Sequence, residues 1–308
     1  MSLAGLLAGA ASSAGGDLYF TGFEVSEGYH TNLDLVGTNG VGQNGWESFG
    51  SGGNGLVTGF FPGLGYHAYI GFTPPAAGDD TLYLWQPINL DPVPGTNPIV
   101  TFSVEMAVYD STTSNRDDFA WDIYNTDADR LFTVDFYNKD QRIYYWLDGT
   151  NDLVFTGWSF LTNTQYTLTV SMDFGKNRWS AWLDTTPLVT NQPITTTNAP
   201  LNLGDVDAVW WVFDPAAPGD DFMVFDNYRI SADPVPSPRL EWMGRATNGA
   251  PRLRLHGQAD YRFALEASTN LFSWTALQTN VAVEGACDFT DPTAAGRPQR
   301  FYRGRWVP

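Results

Sequence analysis

Apolar side chains recur at every second position over long stretches of this chain, a period that only an extended backbone satisfies. Phe102, Val104, Met106 and Val108 alternate with Ser103, Glu105 and Ala107, and Tyr166, Leu168, Val170 and Met172 alternate with Thr167, Thr169 and Ser171. Successive side chains of a strand point to opposite faces, so one set is buried and the other faces outward. Asp148-Gly149, Phe174-Gly175-Lys176-Asn177 and Pro218-Gly219-Asp220 punctuate the segments as turns. The pattern predicts strands over 18–24, 56–61, 67–72, 81–85, 99–109, 118–125, 130–137, 141–147, 153–155, 165–173, 177–184, 207–213 and 222–231. Long runs rich in Glu, Lys, Leu and Ala, which would signal helices, are missing. The expected fold is all-β, a two-sheet antiparallel jelly-roll sandwich.

Asp233-Pro234-Val235-Pro236-Ser237-Pro238 interrupts this pattern, because prolines at alternate positions cannot sit in a central strand. Charge changes sign across it. Residues 239–308 carry nine arginines, no lysine and six acids, a net of +3; the rest of the chain carries seven basic and 28 acidic side chains, a net of −21. We therefore expect a domain over 17–232, a linker over 233–238 and a small domain over 239–308. Six strands predict an immunoglobulin- or fibronectin-like β-sandwich for the latter, with Trp242, Phe263, Leu265, Trp274, Phe289 and Phe301 as its core. Residues 1–16, almost wholly Ala, Gly, Leu and Ser, read as a leader or the remnant of a signal peptide without its basic start.

The overall charge of −18 argues against nucleic acid as a partner. No later apolar run reaches the ~20 residues of a membrane-spanning helix. A single cysteine, Cys287, permits no internal disulfide and is expected to be buried rather than reactive.

Phe23-Glu24, Gly40 and Gly42-Gln43-Asn44-Gly45-Trp46, with the closing run Phe222-Met223-Val224-Phe225-Asp226-Asn227-Tyr228-Arg229-Ile230, resemble the first and last strands of concanavalin A-like (LamG-like) jelly-roll modules of exported proteins in Verrucomicrobia and Planctomycetes. Ala267-Ser268-Thr269-Asn270-Leu271, Trp274, Phe289-Thr290-Asp291-Pro292 and Phe301-Tyr302-Arg303 are similar to a small C-terminal β-sandwich module of large secreted proteins from the same bacteria. The resemblance implies a secreted, extracellular or cell-surface protein and leaves its function open.

Binding is favoured over catalysis by the aromatic residues. Neighbouring aromatics on one strand point to opposite faces, so one of each pair Trp210/Trp211 and Tyr144/Tyr145, and one of Trp179/Trp182, must leave the sandwich interior. Outward aromatics can stack on the apolar faces of sugar rings. Tyr145, Trp158, Trp182 and Trp210 or Trp211 are the candidates, with a polysaccharide or cell-surface glycan as partner; the alternative is that loops cover them. Glu24, Asp220, Asp221 and Asp226 are candidate ligands of a structural Ca²⁺, on the premise that the first and last strands pair; otherwise they are hydrogen-bonded carboxylates.

A glycosidase would need two carboxylates about 5–5.5 Å or about 6.5–9.5 Å apart. Asp205/Asp207 and Asp127/Asp129 lie beside turn-like sequence and read as turn or strand-end acids; Asp117 and Asp118 point to opposite faces. A lyase would draw on Gln141, Arg142, Tyr144 and Tyr145, which equally read as cross-strand packing pairs. Nucleophile elbows, paired zinc ligands and phosphate loops are absent. The sequence thus points to a non-catalytic extracellular glycan-binding protein. Its alternatives are a self-associating surface protein and a lyase or hydrolase with an atypical site.

Overall fold

The computed structural model describes residues 15–37, 40–93, 97–150, 152–294, 297 and 299–308. The expected leader over 1–16 lies almost wholly outside the described residues. The chain divides into compact units, one spanning Gly16–Ala232 and another containing Asp233–Pro308.

The larger unit is a sandwich of two antiparallel sheets. One sheet runs in the order β13 (Thr186–Gln192), β12 (Arg178–Leu183), β11 (Tyr166–Asp173), β6 (Ile99–Tyr109), β15 (Phe222–Asp233), β4 (Tyr66–Gly71) and β3 (Asn54–Thr58), and β1 (Gly16–Thr21) pairs with the far half of β15. The facing sheet runs β10 (Val154–Ser159), β9 (Arg142–Leu147), β8 (Arg130–Tyr137), β7 (Asp118–Tyr124), β14 (Asp205–Trp211), β5 (Thr81–Trp85) and β2 (Glu47–Gly50). The chain steps repeatedly between layers, as a jelly roll does.

Alternation decides which face is buried. In β6, Val100, Phe102, Val104, Met106 and Val108 enter the core, and in β11 Leu168, Val170 and Met172 meet them. From the seven-stranded sheet come Phe119, Trp121, Ile123, Phe132, Val134, Phe136, Val206, Ala208 and Trp210. Phe132 stacks on Trp179 with centroids 4.0 Å apart. Trp46 is sealed among Phe23, Phe225 and Tyr228, and its Nε1 donates to Tyr29 Oη at 3.0 Å, so its polar atom is satisfied.

Two strands escape the sequence pattern. Both β2 and β13 are edge strands, and the latter contains Pro187, tolerated there because an edge strand need not donate every N–H inward.

In the smaller unit, β16 (Arg239–Arg245), β17 (Pro251–His256) and β20 (Ala286–Thr290) form one sheet. The other contains β19 (Thr275–Val281), β18 (Arg262–Ser268) and β21 (Phe301–Val307). Leu240, Leu253, Leu255, Phe263, Leu265, Phe289 and Tyr302 fill the space between them. Two expected core residues lie elsewhere. Trp242 is 52% exposed, at a bulge in edge strand β16. Trp274 lies in the loop before β19, beneath the Arg303 guanidinium at 4.3 Å. Phe301 is half-buried. Cys287 is half-buried against this core, and burial raises its thiol pKa.

Candidate functional site

The outer face of the seven-stranded sheet carries the chemistry. Because Phe119, Trp121 and Ile123 point inward, β7 presents Asp118, Ala120, Asp122 and Tyr124 outward. By the same parity β14 presents Asp205, Asp207, Val209 and Trp211, and β8 presents Thr133, Asp135 and Tyr137. Cross-strand register aligns these residues in rows. Asp207 faces Asp122, Asp122 faces Thr133 and Thr133 faces Trp146. In the next row Phe49 faces Tyr83, Tyr83 faces Val209, Val209 faces Ala120 and Ala120 faces Asp135.

Above the small residues Val209 and Ala120 runs an aromatic ridge. Trp146 and Trp211 stack with centroids 5.3 Å apart at 20°. Trp211 Nε1 donates to Tyr83 Oη at 3.1 Å, Phe49 packs on Tyr83, and the Arg130 guanidinium lies 4.8 Å from the Trp146 ring. Carboxyls sit beneath and beside this ridge. Trp146 Nε1 donates to Asp135 Oδ2 at 3.2 Å; Thr133 Oγ1 donates to Asp122 Oδ1, and Tyr124 Oη reaches Asp122 Oδ2 at 3.4 Å.

Burial sets their protonation. Asp122 is pushed up to about 6 by burial, against the opposing pull of Thr133 and Arg130. Burial likewise holds Asp135 up at about 7 and Asp205 at about 6. Asp118 and Asp207 are raised well above the usual carboxylate range, by burial and then by Asp135 and Asp205 respectively.

At one end of this face a hollow of about 390 Å³ is walled by Phe49, Tyr83 and Trp85, with Asn89, Tyr124, Asp205 and Asp207 around it. A second hollow of about 600 Å³ shares Tyr124 and Ala128 with the first and extends past Arg130 to Asp148 and Asn198. Both volumes lie within the range of ligand sites, and we take the two, which share Tyr124 and Ala128, as one groove. Its shape is fixed locally. Asn125 Oδ1 accepts from the N–H groups of Asp127 and Asp129, folding the β7–β8 turn. Gly204 backs onto that turn so closely that a Cβ would lie 2.4 Å from Asn125 O. Asp148 ties down the opposite rim. Its carboxylate accepts from the backbone N–H groups of Thr196 and Thr197 and from the hydroxyls of Thr195, Thr196 and Thr197. Burial alone would raise its pKa, but the threonine hydroxyls outweigh it and hold the group at about 2.

The aromatic candidates fall in different places. Trp210 is fully buried, on the inward parity of β14, so Trp211 is the outward member of that pair. Tyr145 also faces the core, with its ring against Trp179; Tyr144 and Trp146 take the outer face. Trp182 is half-buried on the outer face of the other sheet, and Trp158 is 47% exposed in an irregular stretch of edge strand β10. These residues therefore form no single platform. Arg142 and Tyr144 share a face, but both engage Asp140.

The four proposed calcium ligands separate into two places. Glu24 accepts from Tyr66 N–H at 3.1 Å, while Asp226 bonds to His67 Nδ1 at 2.9 Å. Asp220 caps Ser111 and Thr112, and Asp221 accepts from Asp117 N–H and Asn138 Nδ2. Pairing of β1 with β15 brings only the first two near each other. Among the described residues no three His, Cys, Asp or Glu side chains converge on a metal position.

The sequence signal for the acid-lined face is the i, i+4 pair Asp118/Asp122, outward on either side of inward Phe119 and Trp121. Asp205 opens β14 and Asp207 lies two residues further on, both at the strand end and on that face, whereas Asp127 and Asp129 lie in the turn.

No family model matches the chain, and no curated protein sequence matches it. Among solved structures, a sialidase superposes with a TM-score of 0.45 at 8% identity over 72% of this chain, which spans only 19% of that protein. The Emp47p carbohydrate recognition domain gives 0.42 at 11% identity, covering 74% of this chain and all of that one. Basic winged bean lectin with Tn-antigen gives 0.45 at 10% identity, covering 70% of this chain and 97% of the lectin. Likenesses this distant bear on neither ligand nor chemistry.

Proposed function

We propose that this is a secreted glycan-binding protein whose ligand, a polysaccharide or cell-surface glycan, lies in the groove on the outer face of the seven-stranded sheet. The observation that carries the reading is the aromatic wall of Phe49, Tyr83 and Trp85 facing polar Asn89, Tyr124 and Asp205 across one hollow. Sugar rings present an apolar face to aromatics and an equatorial belt of hydroxyls to polar groups, so a wall of each kind fits them. Continuation of the groove past Arg130 suits a chain of several sugars.

Binding fits the carboxyls better than turnover does. Asp207, two residues from Asp205 on one face of β14, is 4% exposed, whereas two glycosidase carboxyls flank the bond they cleave. Asp122, directly across from Asp207, is covered and bonded to Thr133.

Screening the full chain against immobilised polysaccharides tests the reading. We expect retention on at least one, and a loss of roughly tenfold or more in affinity for Trp85→Ala, typical of an aromatic anchor. Retention on none, or an unchanged affinity in that variant, would refute it.

A further inference from the structure

The row of outward residues that begins at Phe49 and Tyr83 does not end at Asp135. Asp135 faces Tyr144 on β9, and Tyr144 faces Phe155 on β10. One cross-strand row therefore runs from Phe49 in edge strand β2 to Phe155 in edge strand β10, across all seven strands of the sheet. At about 4.8 Å between neighbouring strands, it is roughly 29 Å long. Aromatic rings occupy both ends, with Val209, Ala120 and Asp135 between them. The stacked Trp211 and Trp146 rings bridge that middle stretch. Trp211 Nε1 ties the bridge to Tyr83, and Trp146 lies two residues from Tyr144 on the same face of β9. The far end is held in place as well. Tyr144 and Phe155 have centroids 5.5 Å apart, Tyr144 Oη donates to Asp140 Oδ2 at 3.1 Å, and the Arg142 guanidinium lies 5.3 Å from the Phe155 ring. Phe49 is 69% and Phe155 46% exposed, so the row is open to solvent at both edges of the sheet. Of its aromatic residues, Phe49 and Tyr83 line the hollow described above, whereas Tyr144 and Phe155 lie outside it.

Resting on the glycan reading above, we propose that the ligand is a linear polysaccharide bound along its length, lying across the strands from the groove to a second contact on Tyr144 and Phe155. A row open at both edges accepts a chain that continues past them. The groove anchors the chain, and the far rings offer apolar faces to sugars further along it. Rings already held by their neighbours lose little freedom on binding. A short oligosaccharide fills the groove and leaves Tyr144 and Phe155 wet. A chain long enough to cross the sheet covers both, and joining two contacts in one ligand raises affinity without a change at either. Charge favours this occupant over a second copy of the chain. Two copies, each with a net charge of −18, repel, whereas a neutral sugar chain brings no charge to the face. Affinity therefore climbs with chain length, and Tyr144 and Phe155 matter only to long chains.

The test is calorimetric titration of the full chain with gluco-, xylo-, manno- and galacto-oligosaccharides from disaccharide to octasaccharide, for the wild type, Tyr144→Ala/Phe155→Ala and Trp85→Ala. For the best-bound sugar, the octasaccharide should bind about tenfold or more tightly than the trisaccharide, a gain of the size an aromatic anchor gives. Tyr144→Ala/Phe155→Ala should leave the trisaccharide within about twofold of wild type and remove most of that gain. Trp85→Ala should weaken both lengths. A long chain can also occupy the groove alone in several registers, which raises affinity equally in wild type and variant, so the variant separates the two causes. An affinity that levels off at the trisaccharide, or a length gain that survives in a folded Tyr144→Ala/Phe155→Ala, would overturn the second contact and leave the groove reading intact. Absence of binding at every length would overturn both. A wild type that sediments as a dimer while the double variant is a monomer would assign the row to a second copy and likewise overturn the proposal. The wild-type length series needs no variant, so a misfolded double variant leaves the proposal exposed to refutation.

Discussion

Replacing Asp122 with asparagine removes an ionisable group from beneath the aromatic ridge and keeps an oxygen within reach of Thr133 Oγ1. In the folded protein Asp122 holds its proton up to about pH 6, because burial disfavours the anion; its ordinary value is 3.8. Between those two values the folded state binds more protons than the unfolded chain, so stability falls as pH rises. At roughly 1.36 kcal/mol for each tenfold change in proton affinity, Asp122 accounts for about 3 kcal/mol that is present near pH 4 and lost by about pH 6 to 7. Its negative charge also raises Asp135 and Asp207, so its removal flattens their contribution in the same direction. Urea unfolding at pH 4, 5, 6 and 7, followed by tryptophan fluorescence, measures this; nine of the twelve tryptophans lie within 16–232, so the signal reports mainly on the larger unit. The wild type should lose about 3 kcal/mol more than Asp122→Asn across that range. Parallel pH curves for the two proteins would refute the claim that this carboxyl is buried and protonated in the fold.

Other outcomes follow from the same structure. Asp148→Ala should destabilise by about 3 kcal/mol, since five donors from Thr195–Thr197 lose their acceptor; chemical denaturation at pH 7 measures it. Because Asp148 sits at about 2, its contribution is present above about pH 4 and lost as pH falls toward 2, opposite in sign to that of Asp122. Trp179→Ala removes the ring stacked on Phe132 and the donor to Pro193 O, and should cost about 3–5 kcal/mol in the same assay.

The core of the larger unit was legible because period-2 alternation names buried residues without knowledge of the fold: Phe102, Val104, Leu168 and Val170 all lie where it puts them. Edge strands were harder, since β2 and β13 bury few side chains and so carry little alternation. Adjacent aromatics show that one of two must face outward, but not which; parity from Val206 and Ala208 would have assigned Trp210 inward and Trp211 outward. The acid-lined face required strand order as well. Asp122, Asp135 and Asp207 lie far apart in sequence, and only the neighbouring of β8, β7 and β14 brings them together. Trp242 misled for a local reason, as a bulge at Gly244 turns an edge strand away from its core.

The location of the glycan is the central claim, and the aromatics outside the groove offer an internal control. Calorimetric titration of the best-retained polysaccharide should be compared between Tyr83→Ala/Trp85→Ala, which strips the groove wall, and Trp158→Ala/Trp182→Ala, which removes aromatics outside the groove. We predict binding lost in the first and within about twofold of wild type in the second, since residues outside a contact contribute little. Binding retained in the first and lost in the second would place the ligand elsewhere and contradict the account.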